Sequence, residues 1–126
     1  MNNLFIQAEY AASLSNCKKR KVGCALQIAG EVISIGFNHP ASKCNCYMHK
    51  ENPDVKHAEV HCLEHYDDLS ETDAQLAVTY VCCKPCADYI IKKGVKQVWI
   101  KEFRKDKMQG VQHLLENNIE VLEWKI

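Results

Sequence analysis

Residues 74–102 read AQLAVTYVCCKPCADYIIKKGVKQVWIKE. The stretch opens with a buried-type apolar run, AQLAVTYVC, and closes with KQVWIKE, a second strand-like run. Between them PCADYIIKKG carries Pro85 near a helix start and Gly94 just past its end, the positions that each residue favours. The unit is therefore strand–helix–strand. Working outward, DKMQGVQHLLENN (106–118) reads as a helix weakened by Gly110, and IEVLEW (119–124) as a last strand. Upstream, residues 57–66 contain no helix breaker, and 38–56 hold two prolines, three asparagines, two cysteines and two histidines, a loop composition. VGCALQI (22–28) and VISIGF (32–37) form a hairpin joined at Gly30, and 3–15 has apolar residues at helical spacing. The order α-β-β-α-β-α-β-α-β predicts an α/β fold: one mixed five-stranded sheet, helices on both faces, three layers. Right-handed crossovers make the last three strands parallel.

The 126 residues fit one domain spanning 1–126, long enough to bury a core without disulfides. Apolar residues make up 47% and charged residues 25%, which argues against disorder. Sixteen basic residues balance sixteen acidic ones, so a strongly basic nucleic-acid binder is disfavoured, although a local basic patch is not excluded. The N-terminus lacks a basic start and carries Glu9 in its apolar stretch, which makes it a poor signal peptide. No stretch approaches the ~18 apolar residues of a membrane span. A cytoplasmic protein follows as the default. There, eight cysteines suggest metal ligands or reactive thiols before disulfides.

Cys83 and Cys86 lie three apart at a strand end and helix start, where two thiolates can meet one ion and the helix N-terminus favours their charge. Alone, the pair equally fits two small buried cysteines. HAE at 57–59 changes the balance. At a helix start, His57 and Glu59 can both face a cleft. His57 then serves as a third zinc ligand, and the fourth position stays open for water. Glu59 is left uncoordinated as the proton carrier. His57 and His61 share a helix face, but a metalloprotease needs Glu directly after the first His, and Ala58 stands there. His61, Cys62 and His65 read as helix surface or packing, and His113 needs no functional role. Cys24, between Gly23 and Ala25 on a strand, reads as core.

One His, two Cys and a free Glu are the ligands and proton carrier of zinc-dependent base deaminases. The chain resembles the cytidine deaminase superfamily, and within it the deoxycytidylate (dCMP) deaminase family in its phage-like form. HAE and CCKPC match the H-x-E and C-x-x-C halves of the signature, with Cys82 where the family has proline. Cys82 could compete as a ligand, but Cys83 and Cys86 keep the family spacing. SNCKKRKVGCALQIAGEVISIGFNHP (15–40) resembles the family's N-terminal part, with one residue fewer before Pro40. GVKQVWI and NNIEVLEW resemble its last two strands.

The resemblance implies hydrolytic deamination of dCMP to dUMP, with a small-molecule nucleotide as partner, no membrane, and a homo-oligomer, in many relatives a hexamer regulated by deoxynucleoside triphosphates. It implies a host-cytoplasm location for a viral protein. It also implies that Asn38 contacts the substrate sugar, that backbone amides near Ala58 and Cys83 orient the base carbonyl, and that Phe103 lines the base pocket. Some relatives hold a second, structural zinc, for which Cys17, Cys44, Cys46 and His49 are the candidates, with His39 as an alternative. The basic runs KKRK (18–21) and RKDK (104–107) offer phosphate contacts, Arg20 first among them, or are solvated faces. Rival readings are deamination of another cytosine nucleoside or nucleotide, or of a nucleic-acid base, and a noncatalytic zinc-binding module.

Overall fold

The structure is a computed structural model, and it describes residues 3–17, 19–40 and 55–125. Its centre is β5 (Gln75–Tyr80), the apolar run that opens the quoted stretch. Leu76, Ala77 and Val78 are all fully buried, as a strand covered on both faces requires. Period-two alternation divides them. Leu76 and Val78 enter the main core, while Ala77 faces a smaller one behind the sheet.

β1 (Gly23–Ile28) and β2 (Glu31–Phe37) make the predicted hairpin, and β6 (Gln97–Glu102) and β7 (Glu120–Glu123) follow β5. The sheet order is β2-β1-β5-β6-β7. β1 pairs antiparallel with both β2 and β5, and β5, β6 and β7 run parallel. The mixed five-stranded sheet is thus as expected. The hairpin turn places both Ala29 (φ 53°) and Gly30 (φ 81°) in the left-handed region, the conformation that a two-residue turn needs to match strand twist. The Ala29 N–H donates to Asp73 Oδ1 at 2.8 Å, which helps hold the non-glycine residue there.

Four helices complete the three layers: α1 (Asn3–Ser13), α2 (Ala58–Leu63), α3 (Lys84–Lys93) and α4 (Gln109–Glu116). α1 buries Leu4 and Ala8 on the rear face with Ala25, Ala77 and Trp124. The other three cover the front face, where Cys62, Ile90 and Leu114 meet Leu26, Val78 and Ile100. Two details differ from the sequence reading. The helix expected over 57–66 spans only 58–63, with His57 as its N-cap. The segment read as loop contains a small antiparallel ladder, β3 (His39–Pro40) against β4 (Val55–Lys56). Its cause is tertiary. Gly36 lets α2 lie backbone-to-backbone on β2, since a Cβ there would fall 2.4 Å from the Cys62 nitrogen. The chain leaving β2 and the chain entering α2 are therefore neighbours. Among the described residues, no helix is long and apolar enough to cross a membrane.

Ile90 is fully buried, whereas Ile6 on α1 is 43% exposed. Ile90→Ala is expected to cost about 2–5 kcal/mol. Ile6→Ala should change stability by no more than about 0.5 kcal/mol. Urea unfolding of the two variants beside the parent checks the contrast.

Candidate active site

The C-terminal end of β5 runs through Val81 and Cys82 into Cys83, the N-cap of α3, which is held in extended conformation (φ −76°, ψ 167°). His57 caps α2 in the same way (φ −73°, ψ 153°). Neither side chain bonds its own helix's N–H groups. They turn toward each other instead. His57 Nδ1 lies 3.6 Å from Cys83 Sγ and 3.1 Å from Cys86 Sγ, and the three ligand-type atoms all fall within 4.8 Å of one another. Zinc bonds of about 2.0–2.3 Å in a tetrahedron separate ligand atoms by roughly 3.5–3.8 Å, so the trio fits the ion in size as well as in donor type. Burial and a mutual contact divide the two thiols. Its hydrogen bond with Cys86 pulls Cys83 well below the usual thiol range, and the same contact, then burial, pushes Cys86 up.

Cys82 is not part of this group. Its side chain is 1% exposed in the main core, and burial raises its thiol. The structure brings Cys83, not Cys82, to His57.

Glu59 occupies the first turn of α2, 4% exposed and outside the trio. Burial pushes its carboxyl up to about 7, Cys83's charge adds to this, and its own backbone hydrogen bond and His57 oppose it. It forms part of a cleft of about 570 Å³. His57, Ala58, Glu59 and Cys83 line that cleft, as do Val22, Asn38 and Tyr80. Five cations also line it: Lys19, Lys84, Arg104 and Lys107, all exposed, and the half-buried Arg20. Arg20 lies 3.9 Å over the Tyr80 ring and pairs with Glu102 at 3.0 Å, and Arg104 pairs with Asp106 at 3.3 Å. Lys19, Lys84 and Lys107 form no ion pair among the described residues.

Asn38 is on the cleft wall, yet its amide already serves the backbone. Oδ1 accepts the Val22 N–H and Nδ2 donates to the Arg20 carbonyl, both at 2.8 Å. One lone pair and one N–H remain. Phe103 is half-buried against the main core and does not line the cleft: the chain turns after β6, and Arg104, Lys107 and Gln109 take the lining positions. Cys17 is buried beside Val55, with its N–H donated to Ser15 Oγ at 3.2 Å. Cys44, Cys46 and His49 lie outside the described residues. His39 stacks edge-on to His61, whose Nδ1 accepts the Phe37 N–H at 3.1 Å. His65 is exposed, and His113 sits 3.3 Å from Asp88. Tyr80, Lys84 and Gln109 were not singled out in the sequence. Lys84 had a signal, because a residue between two ligand cysteines must border the metal loop.

The sequence profile of the cytidine and deoxycytidylate deaminase zinc-binding region matches residues 2–102. The chain belongs to that family. It is a zinc-dependent deaminase, a hydrolase, and His57, Cys83 and Cys86 supply a donor group suited to the ion. Among solved structures it is similar to the dCMP deaminase of the cyanophage S-TIM5. The apo form is 26% identical at a TM-score of 0.79, over 97% of this chain and 94% of that one. The complex with dCMP and dUMP is 27% identical at a TM-score of 0.80, over 93% of this chain and 90% of that one. A second similarity is to the diaminohydroxyphosphoribosylaminopyrimidine deaminase/5-amino-6-(5-phosphoribosylamino)uracil reductase of Thermotoga maritima, 26% identical at a TM-score of 0.74, covering 97% of this chain but 35% of that one. No curated protein sequence matches the chain.

The Glu59 carboxyl ionises near 4.5 when unfolded and about 7 when folded. Between those values the metal-free folded chain holds a proton that the unfolded chain has lost, so stability falls as pH rises through that window. Glu59→Gln removes this loss. The metal-free variant should gain on the parent by up to about 3 kcal/mol at pH 8 and show no such gain at pH 4. Urea unfolding of both proteins in chelator, at both pH values, measures the difference.

Proposed function

We propose that this chain deaminates deoxycytidylate to deoxyuridylate, with His57, Cys83 and Cys86 as zinc ligands and Glu59 as the proton carrier. One observation carries the reading: a buried carboxylate lies outside the three-ligand group but in the same cleft. A carboxylate needed only for coordination would join the trio, and one needed only for solubility would be exposed.

Bound zinc would supply Lewis acidity that makes water a nucleophile at neutral pH. The chain's own residues handle the protons. Glu59 takes one from the attacking water and gives it to ring N3, then takes the second from the new C4 hydroxyl and delivers it to the amino group, which leaves as ammonia while the C4 carbonyl forms. A carboxyl held near neutrality by burial is suited to both transfers. Backbone amides near Ala58 and Cys83 orient the base carbonyl, and the remaining hydrogen-bonding capacity of Asn38 faces the sugar. The cations that line the cleft suit a phosphate, with Arg20 held by Tyr80 and Glu102. The cyanophage relative's complex with dCMP and dUMP supports the choice of nucleotide. The Thermotoga relative supports a second reading, a different phosphoribosyl-bearing pyrimidine. The family resemblance also supports a cytoplasmic homo-oligomer, and sedimentation velocity tests its oligomeric part.

Purified protein should release ammonia from dCMP faster than from CMP, deoxycytidine or dCTP. Glu59→Gln should keep its zinc and its fold while losing at least about 10²–10⁴-fold in kcat. An unchanged rate in that variant would leave a noncatalytic zinc module. Faster turnover of the ribosylaminopyrimidine would favour the second reading.

A further inference from the structure

Gly110 reads from sequence as a defect in α4. The structure gives it a different role. A Cβ at this position would fall 2.2 Å from the Cys82 carbonyl oxygen and 2.9 Å from that of Cys83. Both contacts are to backbone, so no side chain can rotate aside. An ordinary carbon–oxygen approach is roughly 3.3 Å, so an added methyl would have to move one backbone against the other by about an ångström. Zinc–ligand distances tolerate about ±0.2 Å. The Cys82–Cys83 carbonyls belong to the same short loop that presents Cys83 Sγ to His57 and Cys86. The next residues of α4, Val111 and Leu114, are buried in the main core with Cys82 and Cys86, so the helix is not free to lift away.

We propose that Gly110 is a positioning residue for the metal loop: the missing side chain lets the first turn of α4 lie on the Cys82 and Cys83 carbonyls and clamps Cys83 against the other two ligands. The inference rests on the reading of His57, Cys83 and Cys86 as zinc ligands. It makes a prediction opposite in sign to helix propensity, under which Gly110→Ala would stabilise α4.

The test compares the parent, Gly110→Ala, Cys83→Ser and Leu4→Ala, the last in the core behind the sheet. Zinc affinity is read by chelator competition, and ligand geometry by the absorption spectrum of the cobalt-substituted protein. Gly110→Ala should lose about 10–100-fold in zinc affinity and shift the cobalt bands, the size seen when groups supporting metal ligands are altered. Leu4→Ala should lower stability and change neither reading. A folded Gly110→Ala with parental zinc affinity and cobalt spectrum would overturn the inference. A parent that binds no zinc, or a Cys83→Ser that binds it undiminished, would overturn the ligand reading instead. If Gly110→Ala does not fold, hydrogen exchange of the parent decides. Loading zinc should slow exchange over residues 110–114 as well as around the ligands, and leave α1 unchanged. No added protection in α4 would refute the clamp.

Discussion

Two helices begin at the same point in space, and both sacrifice their N-caps to do so. A Ser, Thr, Asp or Asn at positions 57 and 83 would bond the first-turn N–H groups, typically contributing about 1 kcal/mol each. His57 and Cys83 adopt extended cap backbones without a capping side-chain bond. Their side chains face one another across the gap between α2 and α3. Some compensation is electrostatic, because the positive ends of helix dipoles favour thiolate charge beside them. The remainder of the architecture keeps these two ends in register. The central strand delivers Cys83, and the close approach at Gly36 seats α2 so that its first turn carries His57 and Glu59 to the same place.

Much of this arrangement was legible in the sequence. Pro85 and Gly94 bracketed α3, the apolar run over 74–82 announced a strand buried on both faces, and the paired HAE and CxxC stretches fell at the starts of two helices. What escaped was whatever depends on residues meeting from distant parts of the chain. The β3–β4 ladder has two residue pairs and no pattern to recognise, because it exists only where β2 and α2 run side by side. The crowding at Gly110 is likewise invisible locally, since propensity registers the missing methyl but not the carbonyls beneath it. Asn38 looked like a group waiting for a ligand, yet most of its amide supports the strand beside it. Phe103 followed a strand end as expected of a pocket residue, and the chain then turned it toward the core.

Charge shows the same separation between total and placement. Sixteen positive residues against sixteen negative ones argued against a strongly basic nucleic-acid binder and left a local basic patch open. The described residues that line the cleft include five cations and one carboxylate, the buried Glu59. A ligand with an anionic end and a neutral ring would find both kinds of group in the one cleft. Overall neutrality and a cation-rich lining are compatible: among the described residues Glu59 is the one carboxylate that lines the cleft, and Glu102 and Asp106 pair with two of its cations, Arg20 and Arg104.

The layer behind the sheet has its own character. Phe5 stacks on Trp124 with ring centroids 4.6 Å apart and planes 3° from parallel, and meets Trp99 edge-on at 5.3 Å. These are the only two tryptophans in the chain, and both sit on the side of the sheet away from His57, Cys83 and Cys86. Intrinsic fluorescence would consequently be a one-sided reporter. Emission would register the peeling of the N-terminal helix from its aromatic bed, while loss of the ion from the opposite side could pass almost unseen.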